Sequence, residues 1–253
     1  MSTEWSLFNI FQYLKSVFDI FFVVINDRRH NISPMNISPR TVWTALLLTT
    51  TALMWTAGCA SQRATSESRR VTTLDLTAQY DLRADESSQF GAWEVVPKGK
   101  QVFDGTQFDV GGMIRLYGTR PPPHGTVYRD SVVGIKIDRK FDKLHLLHGT
   151  GWWGTDGMPV ARMVWHYADG TQHSFRIVYG RNVRDWWCRG DADDVADPDS
   201  KVVWKGQAPN ATVRLYRTTF YNPEPKKKVS TLDLISEKSL VTPAIVAITV
   251  EGR

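Results

Sequence analysis

The segment Val160-Ala161-Arg162-Met163-Val164-Trp165-His166-Tyr167 runs into Ala168-Asp169-Gly170-Thr171 and emerges as Ser174-Phe175-Arg176-Ile177-Val178-Tyr179. β-Branched and aromatic residues fill both runs, and an Asp-Gly pair lies between them, the local signature of a β-hairpin. The same grammar repeats in both directions. Met113 to Tyr117, Val132 to Ile137, Lys143 to Leu147, Thr212 to Thr219, Val229 to Ile235 and Ala244 to Val250 are short apolar runs bounded by Gly, Pro, Asp and Asn. Ile114 and Leu116 alternate with Arg115 and Tyr117, the two-residue period of a strand with two distinct faces. Beyond residue 75 no stretch holds a helical period over a helix length. Many short strands at this spacing predict an all-β, antiparallel β-sandwich of jelly-roll type over residues 73–253.

The totals fit a globular domain of that size: 42% of the 253 residues are hydrophobic and 23% charged, ordinary values for a chain able to bury a sizeable core. The formal charge is +5, and the basic residues are mostly interspersed with acidic ones. Short clusters such as Arg69-Arg70 and Lys226-Lys227-Lys228 lack interleaved aromatics, which argues against a nucleic-acid partner. Three adjacent lysines are the usual guard of a solvated sheet edge. The chain has two cysteines, Cys59 and Cys188, too few for a disulfide framework if one carries another modification.

The region before residue 73 reads differently. Met35 to Arg40 is short and carries one arginine, Thr41 to Trp55 is apolar without a charge, and Thr56-Ala57-Gly58-Cys59 follows. A basic start, an apolar stretch and small residues at the cut make a secretory signal. Ala-Gly-Cys at the cut resembles a lipoprotein signal peptide over residues 35–58, with Cys59 as the lipidated residue. The apolar run is shorter than the roughly 20 residues that span a bilayer. Upstream, residues 1–34 form an apolar extension in which Lys15 and Asp19 sit one helical turn apart; translation from Met35 accounts for it most simply. The N-terminal segments are thus expected to be helical, and residues 59–72, rich in Ser, Thr, Arg and Gln, to be a flexible tether. Localisation in the cell envelope follows, lipid-anchored at a membrane. Ala60-Ser61 after the cysteine resembles the sorting pattern of outer-membrane lipoproteins.

Five phrases carry a wider resemblance: Phe108-Asp109-Val110-Gly111-Gly112, Leu144-His145-Leu146-Leu147-His148-Gly149, Tyr167-Ala168-Asp169-Gly170-Thr171, Tyr179-Gly180-Arg181-Asn182-Val183-Arg184-Asp185-Trp186-Trp187 and Tyr221-Asn222-Pro223-Glu224-Pro225. In this order, from about Gln101 to Val250, they resemble the galactose-binding-like β-sandwich domains of bacterial secreted and cell-surface proteins. That resemblance implies a jelly roll, often with a structural calcium, and glycan binding through loops at one end.

Two tryptophan pairs are the candidate ligand platforms. Trp152-Trp153 lies in the glycine-rich segment Gly149 to Gly154, and Trp186-Trp187 follows Arg184 and Asp185. Indole faces suit the apolar C–H faces of sugar rings, and charged neighbours can hydrogen-bond the hydroxyls. On an extended segment one ring of each pair faces in and the other out; closure of the sandwich ends by both pairs is the competing expectation. His145 and His148, three apart on a strand, point to opposite faces and do not converge on a metal, while His166 and His173 flank the Asp169-Gly170 hairpin and suit cross-strand packing. Asp191, Asp193 and Asp194 form an acidic loop that offers oxygen ligands for calcium but lacks the EF-hand spacing; Asp104 and Asp109 are alternative calcium ligands. Cys188 reads as a small half-buried residue, and Asn222-Pro223-Glu224-Pro225 as a structural connection that stops a strand. With no Gly-x-Ser-x-Gly elbow, paired carboxylates or HExxH motif, catalysis has little support. The expected function is therefore a membrane-tethered, non-catalytic module that binds a polysaccharide or glycan. The alternative is a structural envelope lipoprotein whose sandwich binds a protein partner.

Overall fold

Alternation decides which face each strand buries, and in this chain two strands are buried on both faces. The computed structural model describes residues 70–87, 92–120, 126, 128–188 and 194–252, and among these there are fourteen strands and no helix. The expected extension 1–34, the signal 35–58, Cys59 and most of the tether lie outside the described residues. Strand pairing already begins at β1 (Arg70–Thr73), where Arg70 lies opposite Gly252, so residues 70–72 belong to the sheet and not to a tether.

The larger sheet contains β1, β2 (Leu82–Arg83), β5 (Gly112–Arg115), β7 (Lys143–Gly151), β10 (Trp187–Cys188), β11 (Ser200–Ala208), β12 (Ala211–Tyr221) and β14 (Thr242–Gly252). Its strand order is β10-β12-β7-β14-β5-β2, with β1 beside the last residues of β14 and β11 beside β12. The second sheet has four strands in the order β6 (Ser131–Arg139), β13 (Val229–Ser236), β8 (Pro159–Tyr167) and β9 (Gln172–Val178). A separate hairpin pairs β3 (Gly99–Phe103) with β4 (Thr106–Val110). All of these strand pairs are antiparallel, and the architecture is compatible with a β-sandwich.

The main core lies between the two sheets. Ile114, Leu144, Leu146, Tyr216, Ile245, Ile248 and Val250 of the larger sheet meet Ile135, Ile137, Met163, Trp165, Ile177, Leu232 and Leu234 of the smaller one. A second core covers the opposite face of the larger sheet, where Leu147, Leu215, Val246 and Ala247 meet Trp93, Phe103, Phe108 and Val110. This third layer explains why nine consecutive residues of β14, Thr242 to Val250, are buried. A strand covered on both faces loses its apolar–polar alternation.

Turn chemistry matches the chain reversals. Asp104 (φ 47°) and Gly105 (φ 74°) both occupy the left-handed region, as a two-residue type I′ hairpin turn requires. The expected hairpin at Ala168–Thr171 also forms: the Gly170 amide donates to the Tyr167 carbonyl and Gly170 has φ 85°. The Asp169 carboxylate accepts from both the amide and the hydroxyl of Thr171. At the end of β12, buried Asn222 donates to the Phe141 carbonyl and accepts from the Tyr167 hydroxyl and the Glu224 amide. This junction makes Asn222–Pro225 a structural connection.

Trp165 is the largest contributor from the smaller sheet. Its ring packs edge-on to Phe141 at 5.0 Å and against Phe175 at 4.5 Å between centroids. Its Nε1 has no hydrogen-bond partner among the described residues, so packing alone holds it. Trp165→Ala is expected to lower unfolding free energy by roughly 3–5 kcal/mol, measured by guanidinium denaturation; a loss below about 1 kcal/mol would mean the ring is not central to the core.

Candidate functional site

At the Thr242 end of β14 three connections meet. The segment after β5 joins the β13–β14 loop through the Thr119 amide, which donates to the Ser239 carbonyl at 2.7 Å. It joins the β7–β8 loop through Arg120, whose Nη1 donates to the Trp153 carbonyl at 2.9 Å. Gly118 and Gly154 allow the close approach: a Cβ on Gly118 would come 2.4 Å from the Val241 carbonyl oxygen, and one on Gly154 2.3 Å from Met158.

The Trp152-Trp153 pair projects from this end. Trp152 is 37% exposed and Trp153 59%. Trp152 has φ 69°, a left-handed conformation that a bulky side chain rarely adopts and that costs of order 1–3 kcal/mol. Its carbonyl accepts from the Thr150 hydroxyl at 3.2 Å. The Arg120 guanidinium carbon stands 4.2 Å from the Trp153 ring centroid, a cation–π stack. Tyr117 and Leu240 are also exposed at this end.

The second pair is placed differently. Residues 184–188 insert where β7 and β12 splay apart: the Trp186 amide donates to the Thr150 carbonyl, and the Arg214 amide donates to the Trp186 carbonyl. The chain bends at Trp186, which breaks the in–out alternation expected of an extended pair. Both rings are half-buried and pack on the cluster of Ala92, Ala208 and Val213, meeting edge to face at 6.3 Å. Trp186 lies over Gly149, where a Cβ would come 2.9 Å from its own Cβ.

Arg184 and Asp185 are bound within the protein. Arg184 forks onto Asp156 with Nη1–Oδ1 2.7 Å and Nη2–Oδ2 2.9 Å, and its Nε donates to the Asp194 carbonyl. The Asp156 carboxylate holds the guanidinium still more firmly protonated. Asp156 is largely exposed, so the pair stabilises by no more than about 1 kcal/mol; its main effect is to latch the Trp152-Trp153 loop to the 181–188 segment. Asp185 is buried, accepting at its carboxylate from the Trp187 amide and at its carbonyl from Nε of the fully buried Arg214. Cys188 is half-buried.

Asp191 and Asp193 lie outside the described residues, and Asp194 is exposed. Asp104 bridges Lys201 and Arg217 at 2.7 and 2.8 Å, and Asp109 lies cross-strand from Lys100. Among the described residues no group of three or more His, Cys, Asp or Glu side chains is arranged to hold a metal ion. Lys227 pairs with Asp169 and Lys228 with Asp138, so these two lysines act with local carboxylates.

The histidines point apart, as their spacing requires. His145 meets Thr219 and Glu251 on one face of the larger sheet, and His148 meets Thr218 on the other. Thr218 continues to Ser200, and Asn182 to Asp197, in a buried polar chain. His166 bonds Asp233 at 2.8 Å, and the His173 ring packs on Phe175. Arg120, Tyr117 and Leu240 were not legible as neighbours of the tryptophans, since each arrives from a distant connection, whereas Asp156 lies in the same β7–β8 loop; only the gathering of Gly118, Gly151 and Gly154 near exposed aromatics hints at the rest.

No protein-family model, no curated protein and no solved structure matches the chain.

Burial lowers the pKa of His148 to about 3. The unfolded chain then takes up a proton near pH 6.5 that the folded protein refuses, so this residue's contribution to stability is complete above pH 6.5 and is lost as pH falls toward 3. Burial lowers His145 in the same sense. Between pH 7 and 5, wild-type unfolding free energy should fall by about 2 kcal/mol more than that of His148→Gln, read from urea titrations at both pH values; equal slopes would contradict a neutral buried His148.

Proposed function

We propose that this protein is a non-catalytic carbohydrate-binding module of the cell envelope, a jelly-roll sandwich of galactose-binding-like type tethered through Cys59. The observation that carries the reading is the exposed indole of Trp153, held from one side by Arg120, on a loop whose backbone is strained at Trp152. Strain kept at an exposed position is characteristic of ligand sites. A fixed aromatic face beside guanidinium and carboxylate groups matches a sugar ring, with its apolar C–H face and polar rim.

Direction supports the same reading. The chain enters at Arg70, beside Gly252, whereas Trp152 and Trp153 follow Gly151, which lies opposite Thr242. The two ends of β14 are about 30 Å apart at the rise of an extended strand. The tryptophans therefore lie at the end of the sheet opposite to Arg70. Stacking on one or two rings gives modest affinity, because ordering costs offset much of the contact energy. Trp186 and Trp187 would support the loop from behind through Thr150, and the outer leaflet of contacts would come from Trp152, Trp153, Arg120 and Asp156.

The test is a glycan array and insoluble-polysaccharide pull-down with the purified full chain, with and without calcium. One or more glycans are expected to be retained, and Trp153→Ala to weaken retention roughly tenfold while circular dichroism and melting stay unchanged. Retention unaffected by Trp153→Ala would remove this loop as the site. No retained glycan, with envelope proteins instead crosslinked near Tyr117 and Leu240, would favour the structural-lipoprotein reading.

A further inference from the structure

The outer face of the smaller sheet carries a second constellation, separate from the tryptophan loop. Inward-facing Met163 and Trp165 alternate with outward-facing Arg162, Val164 and His166 along β8. Register then places three rows across the four strands. One row is Lys136, Thr231, His166 and Gln172; the next is Asp233, Val164 and Ser174, met from β6 at a bulge by the Gly134 amide; the third is Ser131, Ile235, Arg162 and Arg176. Rows two residues apart are separated by about 6.8 Å, and neighbouring strands by about 4.8 Å.

Arg162 and Arg176 are direct cross-strand partners. Like charges placed opposite each other destabilise a sheet, so this pair works against the fold. Glu237 answers it weakly, 3.6 Å from Arg162 Nε, and Arg176 and Lys136 have no ion-pair partner among the described residues. The single carboxylate in the middle of the face is already committed: Asp233 accepts from the Gly134 amide with Oδ1 at 2.8 Å, at a bulge where Gly134 has φ 73°, and bonds His166 with Oδ2. Arg162 thus has only Glu237 at 3.6 Å, Lys136 acts on Asp138, and Arg176 has no ion-pair partner among the described residues. They stand at the margin of a face that mixes hydroxyl, amide and imidazole groups with Val133, Val164 and Ile235.

We propose that this face binds an acidic polysaccharide, with Arg162 and Arg176 clasping a carboxylate or sulfate group and Lys136 meeting a second one further along the polymer. The paired guanidiniums offer the fork geometry that planar and tetrahedral oxyanions accept. Thr231, Gln172 and Ser174 suit a hydroxyl-rich chain, whereas the face offers no aromatic platform for the bases of a nucleic acid. Val133 is its one large exposed apolar side chain among the described residues, too little for a membrane-inserting surface.

Binding of the full chain to polygalacturonate, dextran sulfate, neutral dextran and duplex DNA, followed against salt concentration, tests the assignment. Polygalacturonate and dextran sulfate distinguish carboxylate from sulfate as the preferred group. Retention of at least one of them, but not of neutral dextran, is expected. Arg162→Gln with Arg176→Gln should weaken it roughly tenfold, while Lys100→Gln with Lys140→Gln, an equal loss of charge elsewhere, changes it less than about twofold. Trp153→Ala should leave polyanion binding intact, which separates this site from the tryptophan loop. Without ligand, the double arginine variant should melt no lower than the parent, since a repulsive pair has been removed. Failure to bind either acidic polysaccharide, equal weakening by the lysine variant, DNA binding through the same arginines, or a lower melting temperature of the arginine variant would each overturn the proposal.

Discussion

Burial of the larger sheet on both faces is the constraint on which the rest of the structure depends. β7 and β14 lie at its centre, and neither has a solvent side along most of its length. Every polar group on these strands must therefore find a protein partner, because an unmet donor or acceptor there costs about 1–3 kcal/mol. The pairings observed at His145, His148, Thr218 and Thr249 meet that demand. Ser200, Asn182 and Asp197 extend the His148–Thr218 contact outward to the loop at residues 194–199. The chain of bonds ties the 181–188 insertion to the core, and through Thr150 it reaches the base of the tryptophan loop.

The same constraint sets how much of the fold can be read from the sequence. Strands with one wet face announce themselves by alternation, and β8, β9 and β13 fall where Val160–Tyr167, Ser174–Tyr179 and Val229–Ile235 place them. Ala168–Thr171 is equally plain, since an aspartate and a glycine in series leave few alternatives to a turn. The third layer is not plain. Trp93, Phe103, Phe108 and Val110 form a core only because Leu147, Leu215 and Val246 offer the far side of a distant sheet. Asp104-Gly105 is nonetheless a strong hairpin signal with alternating flanks, and the informative property of Asp104 is its left-handed backbone. β11 escaped because Lys201, Lys205 and Gln207 interrupt its apolar residues, as suits a strand paired on one side only.

At the tryptophan loops local sequence reaches less far. Two adjacent tryptophans carry no information about which ring is exposed; the bend at Trp186 and the left-handed backbone at Trp152 decide that, and both follow from long-range contacts. Trp186 is drawn down over Gly149, whereas Trp153 stacks against Arg120 and the Trp152 carbonyl meets the Thr150 hydroxyl. Arg184 illustrates the same point. From sequence it is a free cation next to aromatics, but Asp156, 28 positions away, takes both of its forward-facing nitrogens.

These differences bear on how the proposed aromatic site would work. An exposed indole on a mobile loop loses side-chain and backbone freedom when it stacks on a ligand, and that loss offsets much of a contact worth only a few kcal/mol. Here the freedom is removed during folding. The Arg120 stack fixes the Trp153 ring, the Arg184–Asp156 fork fixes the loop's descending arm, and the strained φ of Trp152 is held by the β7–β14 pairing just before it. The large, doubly covered core supplies the stability that tolerates such strain. On the outer face of the smaller sheet the logic recurs with charge in place of backbone geometry: Arg162 and Arg176 are held as cross-strand partners by β-sheet register, at a cost to the fold. In both places a local penalty is imposed by elements rigid enough to sustain it, which is the physical pattern expected of surfaces shaped for something other than the fold itself.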